Sequence, residues 1–205
     1  LLVGPVNSGK SSVFNRLLGF QRAIVSDIPG TTRDIVSSEL FYESNIFSVY
    51  DSAGLRETND LIEEIGIKNT LKEIKNADLI IDMATLTGAS RGAMGIEVPS
   101  FFCNKDDLAM KLICSSQQTG DPLWQLPLWN NYENQLDSAH ADFRNIGNTM
   151  FGGAITAALF LQKFVKDIPW IHIDLMAWIK ANKFNSYEGG EAMGIRALLK
   201  FIKDI

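Results

Sequence analysis

The opening of this chain constrains its fold more than any other stretch. Apolar Leu1, Leu2 and Val3 run directly into GPVNSGKSS, which sets Gly4, Gly9, Lys10 and Ser11 in the G-x-x-x-x-G-K-[ST] pattern. Such a loop works only between a strand and a helix, because its backbone N–H groups and the helix N-terminus must converge on phosphate oxygens. Val13, Phe14, Leu17 and Leu18 follow at helical spacing and supply that helix. On this reading Asn7, Ser8, Gly9 and Ser12 line the cradle. Lys10 puts its charge on the β and γ phosphates, and the Ser11 hydroxyl binds Mg²⁺.

Composition narrows the alternatives. A chain of 205 residues with 46% hydrophobic residues has room for one ordinary domain or two small ones with packed cores. A net charge of −5 gives no extended basic surface for nucleic acid, since phosphate neutralisation needs clustered Lys and Arg. Cys103 and Cys114 form no CxxC pair and have no metal-ligand spacing, so both are expected to be buried free thiols in a reducing, cytoplasmic setting. The apolar runs are too short to span a bilayer, and no secretory leader is visible. The chain starts inside a strand with Leu rather than Met, so an upstream part is expected to be missing.

Two further motifs follow in the order a GTPase requires. PGTTRD covers Pro29 to Asp34 and DSAGLRE covers Asp51 to Glu57, with FYESNIFSVYD between them alternating as a hairpin would. As switch loops they would bring Thr32 to Mg²⁺, hold the metal through Asp51 and a water, and face the γ-phosphate with the Gly54 amide. VNSGKSS, IPGTTRDI, DSAGLRET and EEIGI together resemble the G domain of the tRNA-modification GTPases, over Leu1 to about Ile81. The resemblance implies GTP as ligand. It also implies a K⁺ ion bound with the help of Asn7 and an attacking water positioned by Glu63. On residues alone, Glu63 and Glu64 read as a solvated helix face. The other parts that such enzymes use for tRNA work are not in this sequence, so direct tRNA binding is not expected.

A G domain also needs a guanine-reading N-K-x-D after the next strand. Asn104, Lys105, Asp106 and Asp107 spell NKDD after apolar FFC, which makes Asn104, Lys105 and Asp107 candidates. Against this, MATLTGASRGAMGIEVPS carries Gly88, Gly92, Gly95 and Pro99, poor material for the helix expected before that strand. A second resemblance accounts for more residues. IIDMATLTGAS, CNKDDLA, QTGDPLWQLPLW, LDSAHADFRNIG, GGAITAALFLQKFV, PWIHIDLMAW and GGEAMGIRALLKFI resemble, in order, the C-terminal part of the leucyl (cytosol) aminopeptidases. There the NKDD position is the start of a surface helix.

That second family hydrolyses peptide N-termini with two divalent metals, which polarise the carbonyl and generate hydroxide. Its main ligand motif lies upstream of TLTGA, and an Asp-x-Glu pair occurs nowhere in the 205 residues, so those divalent metals are not expected to bind. What carries over is the substrate groove. Thr85, Leu86 and Gly88 match the loop that contacts substrate, and Met176 matches a specificity-pocket position where some members have Ala. The resemblance further implies a homo-oligomer built through this part.

The remaining polar and aromatic residues read structurally. His140 and His172 flank no carboxylate cluster and are expected in core or surface roles rather than as ligands. Trp124, Trp129, Trp170 and Trp178 are expected to pack. Gly152 and Gly153 suggest close helix packing, and Asp174 in IHIDLMAW a buried, hydrogen-bonded carboxylate. The fold expected is α/β: a P-loop GTPase-like half-domain over 1–81 joined to a partial aminopeptidase catalytic domain over 82–205, with LII of Leu79 to Ile81 at the join. Three functions follow as expectations: a GTP-binding fragment fused to a peptidase fragment, a metal-dependent aminopeptidase borrowing its ligands from another subunit, and a non-catalytic assembly module.

Overall fold

The computed structural model describes residues 74–179 and 188–205 in full and the backbone of 36–42 and 45–51. The chain divides into two units, Leu1–Ala77 and Asp78–Ile205. Asn7, Ser8, Gly9, Lys10, Ser11, Ser12, Thr32, Gly54 and Glu63 lie outside the described residues.

In the first unit, β1 (Val36–Tyr42) and β2 (Asn45–Asp51) pair antiparallel, from Tyr42 opposite Asn45 to Val36 opposite Asp51. This is the hairpin that the period-two alternation predicts. Asp51 closes β2.

The second unit is built on a four-stranded sheet in the order β3-β6-β4-β5, formed by β3 (Ile80–Ala84), β6 (Trp170–Asp174), β4 (Ser100–Cys103) and β5 (Trp124–Gln125). β6 runs parallel to β3 and antiparallel to β4, with Asp82 beside His172 and Ala84 beside Asp174. β4 and β6 are buried along their whole length, which explains why FFC and WIHI read as continuous apolar runs instead of alternating.

Helices cover both faces. α1 (Gly88–Met94) and α2 (Asp106–Thr119) connect the first strands, α3 (Gly153–Val165) leads into β6, and α4 (Ile195–Asp204) ends the chain as given. Phe101, Ile171 and Ile173 pack with Ala109 and Leu112 of α2 and with Ala197 and Phe201 of α4. Phe102 and Trp170 pack on the opposite face with Ala154 and Ala158 of α3. A short 3₁₀ helix spans Asn130–Leu136, and β7 (Trp178–Ile179) pairs with β8 (Gly189–Gly190). No helix among the described residues is long and apolar enough to cross a membrane.

Several expectations need correction. A helix does form in the glycine-rich segment. Each interior glycine costs about 1 kcal/mol of helix propensity, but the Thr87 side chain caps Ser90 N, and Gly95 stops the helix with φ 76°. The glycine at 153 lets α1 approach α3, since a Cβ there would sit 3.2 Å from Ala89 Cβ. Of the four tryptophans only Trp170 is buried, while Trp124, Trp129 and Trp178 are 61%, 52% and 45% exposed. Cys103 is buried as expected, but Cys114 is exposed because it falls on the outer side of α2.

Candidate functional site

The C-terminal ends of β3 and β6 lie side by side, and the chain leaves β3 into the segment Thr85–Thr87. Asp174, the last residue of β6, is buried beneath that segment. Its Oδ1 accepts from Leu86 N at 3.1 Å and Thr87 N at 3.2 Å, and its Oδ2 accepts from Thr87 Oγ1. Thr87 Oγ1 in turn accepts from Ser90 N at 3.0 Å. One carboxylate thus fixes the turn and, through Thr87, the first turn of α1. Ser90 Oγ lies 2.7 Å from Ser100 Oγ, tying α1 to β4.

A cavity of about 820 Å³ opens beside this turn, with Leu86, Thr87 and Gly88 on one side and Asn145 through Met150 on the other. Gly153 and Thr156 of α3 contribute to the wall between. Of the lining residues Ile146 and Met150 are 80% and 94% exposed, which makes part of the rim apolar. Gln135 Oε1 is the one buried side-chain oxygen or nitrogen without a hydrogen-bond partner among the described residues. A Cβ on Gly147 would sit 3.2 Å from it, which puts this acceptor behind Gly147 rather than in the cavity lining.

Of the predicted groove residues, Leu86 and Gly88 line this cavity, whereas Thr85 and Met176 do not. Thr85 is exposed just before Leu86. Met176 is partly buried after β6, and Arg91 Nη1 donates to its Sδ at 3.6 Å. Sequence reasoning passed over Arg91, Gln135 and the 145–150 segment. None carries a motif, and only the fold brings them to the TLTG turn.

The NKDD residues occupy the start of α2. Asn104 Nδ2 donates to Ile168 O and its Oδ1 accepts from Trp170 N, both at 2.8 Å. Lys105 is the N-cap of α2, and Asp106 and Asp107 lie in its first turn, where negative charge is favourable. His140 is exposed. His172 is buried in the core, one of the two roles expected for it, and its Nδ1 lies 2.6 Å from Asp82 Oδ1. Its strand neighbour in the parallel register is that same Asp82, a relationship invisible in a sequence where they stand 90 positions apart.

The family model of the cytosol aminopeptidase family, catalytic domain, matches residues 67–199, more than half of the chain. The chain belongs to the cytosol aminopeptidase family. A probable cytosol aminopeptidase of Syntrophotalea carbinolica is 44% identical over 126 residues, which are 60% of this chain and 25% of that protein. The crystal structure of a cytosol aminopeptidase from Coxiella burnetii matches with a TM-score of 0.62 at 45% identity, over 70% of this chain and 32% of that one. The bottromycin maturation enzyme BotP, solved in complex with Mn, matches with a TM-score of 0.59 at 30% identity, over 70% of this chain and 33% of BotP. The chain spans about a quarter of the length of the curated aminopeptidases it matches. A second family model, the 50S ribosome-binding GTPase, matches residues 1–102, so 67–102 fall under both.

The divalent metals implied for such an aminopeptidase do not fit the described residues. No group of three or more His, Cys, Asp or Glu among them is arranged to hold a metal ion. The buried carboxylates are already committed: Asp174 to the TLTG turn, and Asp121 to the N–H groups of Gly194, Arg196 and Ala197 at the start of α4. Asp82 accepts from Trp170 Nε1 as well as facing His172. No step of peptide hydrolysis is derived through them.

Proposed function

We propose that the second unit is the peptide-binding side of an aminopeptidase of this family, holding the N-terminal part of a peptide against the Thr85–Gly88 turn. The observation that carries the reading is the Asp174 clamp, which fixes this turn beside the 820 Å³ cavity. Leu86, Ile146 and Met150, which line the cavity, suit a hydrophobic side chain. Cleavage requires metal ligands beyond those described, supplied by another part of a longer protein or by another subunit. The test is binding of a fluorescein-labelled leucyl tripeptide to the 205-residue chain, followed by anisotropy. Saturable binding that is weakened by Gly153→Val supports the reading, and no binding to either protein sinks it.

A second reading concerns the first unit and rests on the GTPase model over residues 1–102. In it, 1–81 is a nucleotide-binding segment of the tRNA-modification GTPase type, joined to the aminopeptidase segment over 82–205. Asn7, Ser8, Gly9, Lys10, Ser11, Ser12 and Gly54 hold GTP. Ser11, Thr32 and Asp51 serve Mg²⁺, Asn7 serves K⁺ and Glu63 positions water, whereas Asn104, Lys105 and Asp107 belong to the second unit, where the Asn104 amide is engaged by Ile168 O and Trp170 N. A fluorescent GTP analogue with Mg²⁺ and K⁺, competed by GTP and ATP, tests it. Saturable binding that disappears in Lys10→Ala supports the reading; no binding, or binding that survives Lys10→Ala, sinks it.

A further inference from the structure

Arg91 sits in α1, partly buried, with its guanidinium between Gly88, which lines the cavity, and Met176, which lies outside it. Nη1 donates to Met176 Sδ at 3.6 Å, and a Cβ on Gly88 would lie 3.9 Å from Nη2. A guanidinium has five N–H donors in a planar fork, and a thioether is a weak acceptor that satisfies at most one of them. None of the ion pairs seen between described residues, His172–Asp82, Arg196–Asp121 and Lys200–Asp204, includes Arg91. Asp174, under the same turn, is spent on the Leu86 and Thr87 donors.

The plain structural explanation for an arginine in the last turn of a helix is attraction to the negative C-terminal end. That explanation fails on geometry. Arg91 folds back toward Gly88, the first residue of α1, so its charge sits at the positive end of the helix. Among the described residues this cation has a sulfur as its one polar contact, and its planar fork matches a carboxylate.

We propose that Arg91 forms an anion subsite at the edge of the groove beside Gly88, which takes the carboxylate of an acidic side chain on a bound peptide. The proposal rests on the peptide-groove reading above and adds a specificity to it. The geometry favours Glu or Asp where a wholly apolar pocket favours Leu.

The experiment compares C-terminally labelled Glu-Ala-Ala and Gln-Ala-Ala on the full chain by anisotropy, with Arg91→Met and Arg91→Lys alongside. These peptides differ in charge but hardly in shape. The expected result is about tenfold tighter binding of the Glu peptide to the unaltered chain, shrinking as salt is raised. In Arg91→Met the preference disappears, with the Glu peptide falling to the affinity of the Gln peptide, and Arg91→Lys retains part of it. Equal binding of both peptides by the unaltered chain overturns the subsite, as does a Glu preference that survives Arg91→Met. Binding of neither peptide overturns the groove reading, and the subsite with it. Gln-Ala-Ala binding without a Glu preference overturns the subsite alone.

Discussion

Asp82 and His172 face each other across parallel neighbouring strands, with Oδ1 2.6 Å from Nδ1. The second oxygen accepts from Trp170 Nε1 at 2.7 Å, so one carboxylate on β3 holds two aromatic side chains of β6. The His172 ring stacks on both Phe102 and Trp170, at centroid distances of 6.0 Å. Because a carboxylate only accepts, the bond assigns the proton to Nδ1 and fixes the tautomer.

Removing that carboxylate leaves two donors on the buried Trp170 and His172 side chains without their acceptor. Asp82→Ala is expected to lower stability by about 1–3 kcal/mol in urea unfolding, with the Trp170 fluorescence changed in the folded state. Asp82→Asn, which keeps one acceptor, should fall between. An Asp82→Ala protein as stable as the original would mean that water replaces the carboxylate without loss.

The Asp174 clamp makes a different prediction, because its partners belong to the candidate groove. Asp174→Ala removes the acceptor of Leu86 N, Thr87 N and Thr87 Oγ1 at once. Faster hydrogen exchange at the Leu86 and Thr87 amides is expected, together with a stability loss of about 2–3 kcal/mol. Peptide affinity should fall more than it does in Asp82→Ala. Unchanged exchange at those two amides would show that the turn holds itself in place.

How much of this was legible beforehand depends on the range of the interaction. The β1–β2 hairpin is local and alternates, so the sequence displays it. FFC and WIHI are visible as apolar runs but not as partners, since β4 and β6 pair from distant positions. The α1 helix escaped because propensity counts its glycines and misses the Thr87 cap and the close approach to α3. NKDD resembles a base reader in one dimension, whereas in the fold the Asn104 amide bridges Ile168 O and Trp170 N. The buried role of Asp174 was readable from its apolar surroundings. Arg91 was not, because its neighbour Met176 comes from the far end of β6.

Helix spacing gives a third prediction. Gly153 opens α3 where an added Cβ would come 3.2 Å from Ala89 Cβ, tighter than ordinary contact. Gly153→Ala needs a shift of a few tenths of an ångström, and Gly153→Val needs more. A loss of about 1–3 kcal/mol is expected for Val, with a smaller loss for Ala, and peptide affinity should follow the same order. If Val were tolerated as well as Gly in thermal unfolding, α1 and α3 would have to be free to separate.

The two cysteines should separate by pH. Burial pushes the Cys103 thiol above its ordinary value, with Asp107 and Asp106 adding to the rise, against a lowering by the Lys105 backbone. The folded state therefore holds this proton to higher pH than the unfolded chain does. Stability linked to it is intact below the ordinary thiol pKa and declines as pH rises through the alkaline range, where only the unfolded chain has released its proton. Urea unfolding from pH 7 to 10 is expected to show that decline, and Cys103→Ala should flatten part of it. Alkylation with iodoacetamide gives a second readout: exposed Cys114 should react first and buried Cys103 only slowly until the fold opens. Equal rates at both thiols in the native protein would contradict the burial of β4.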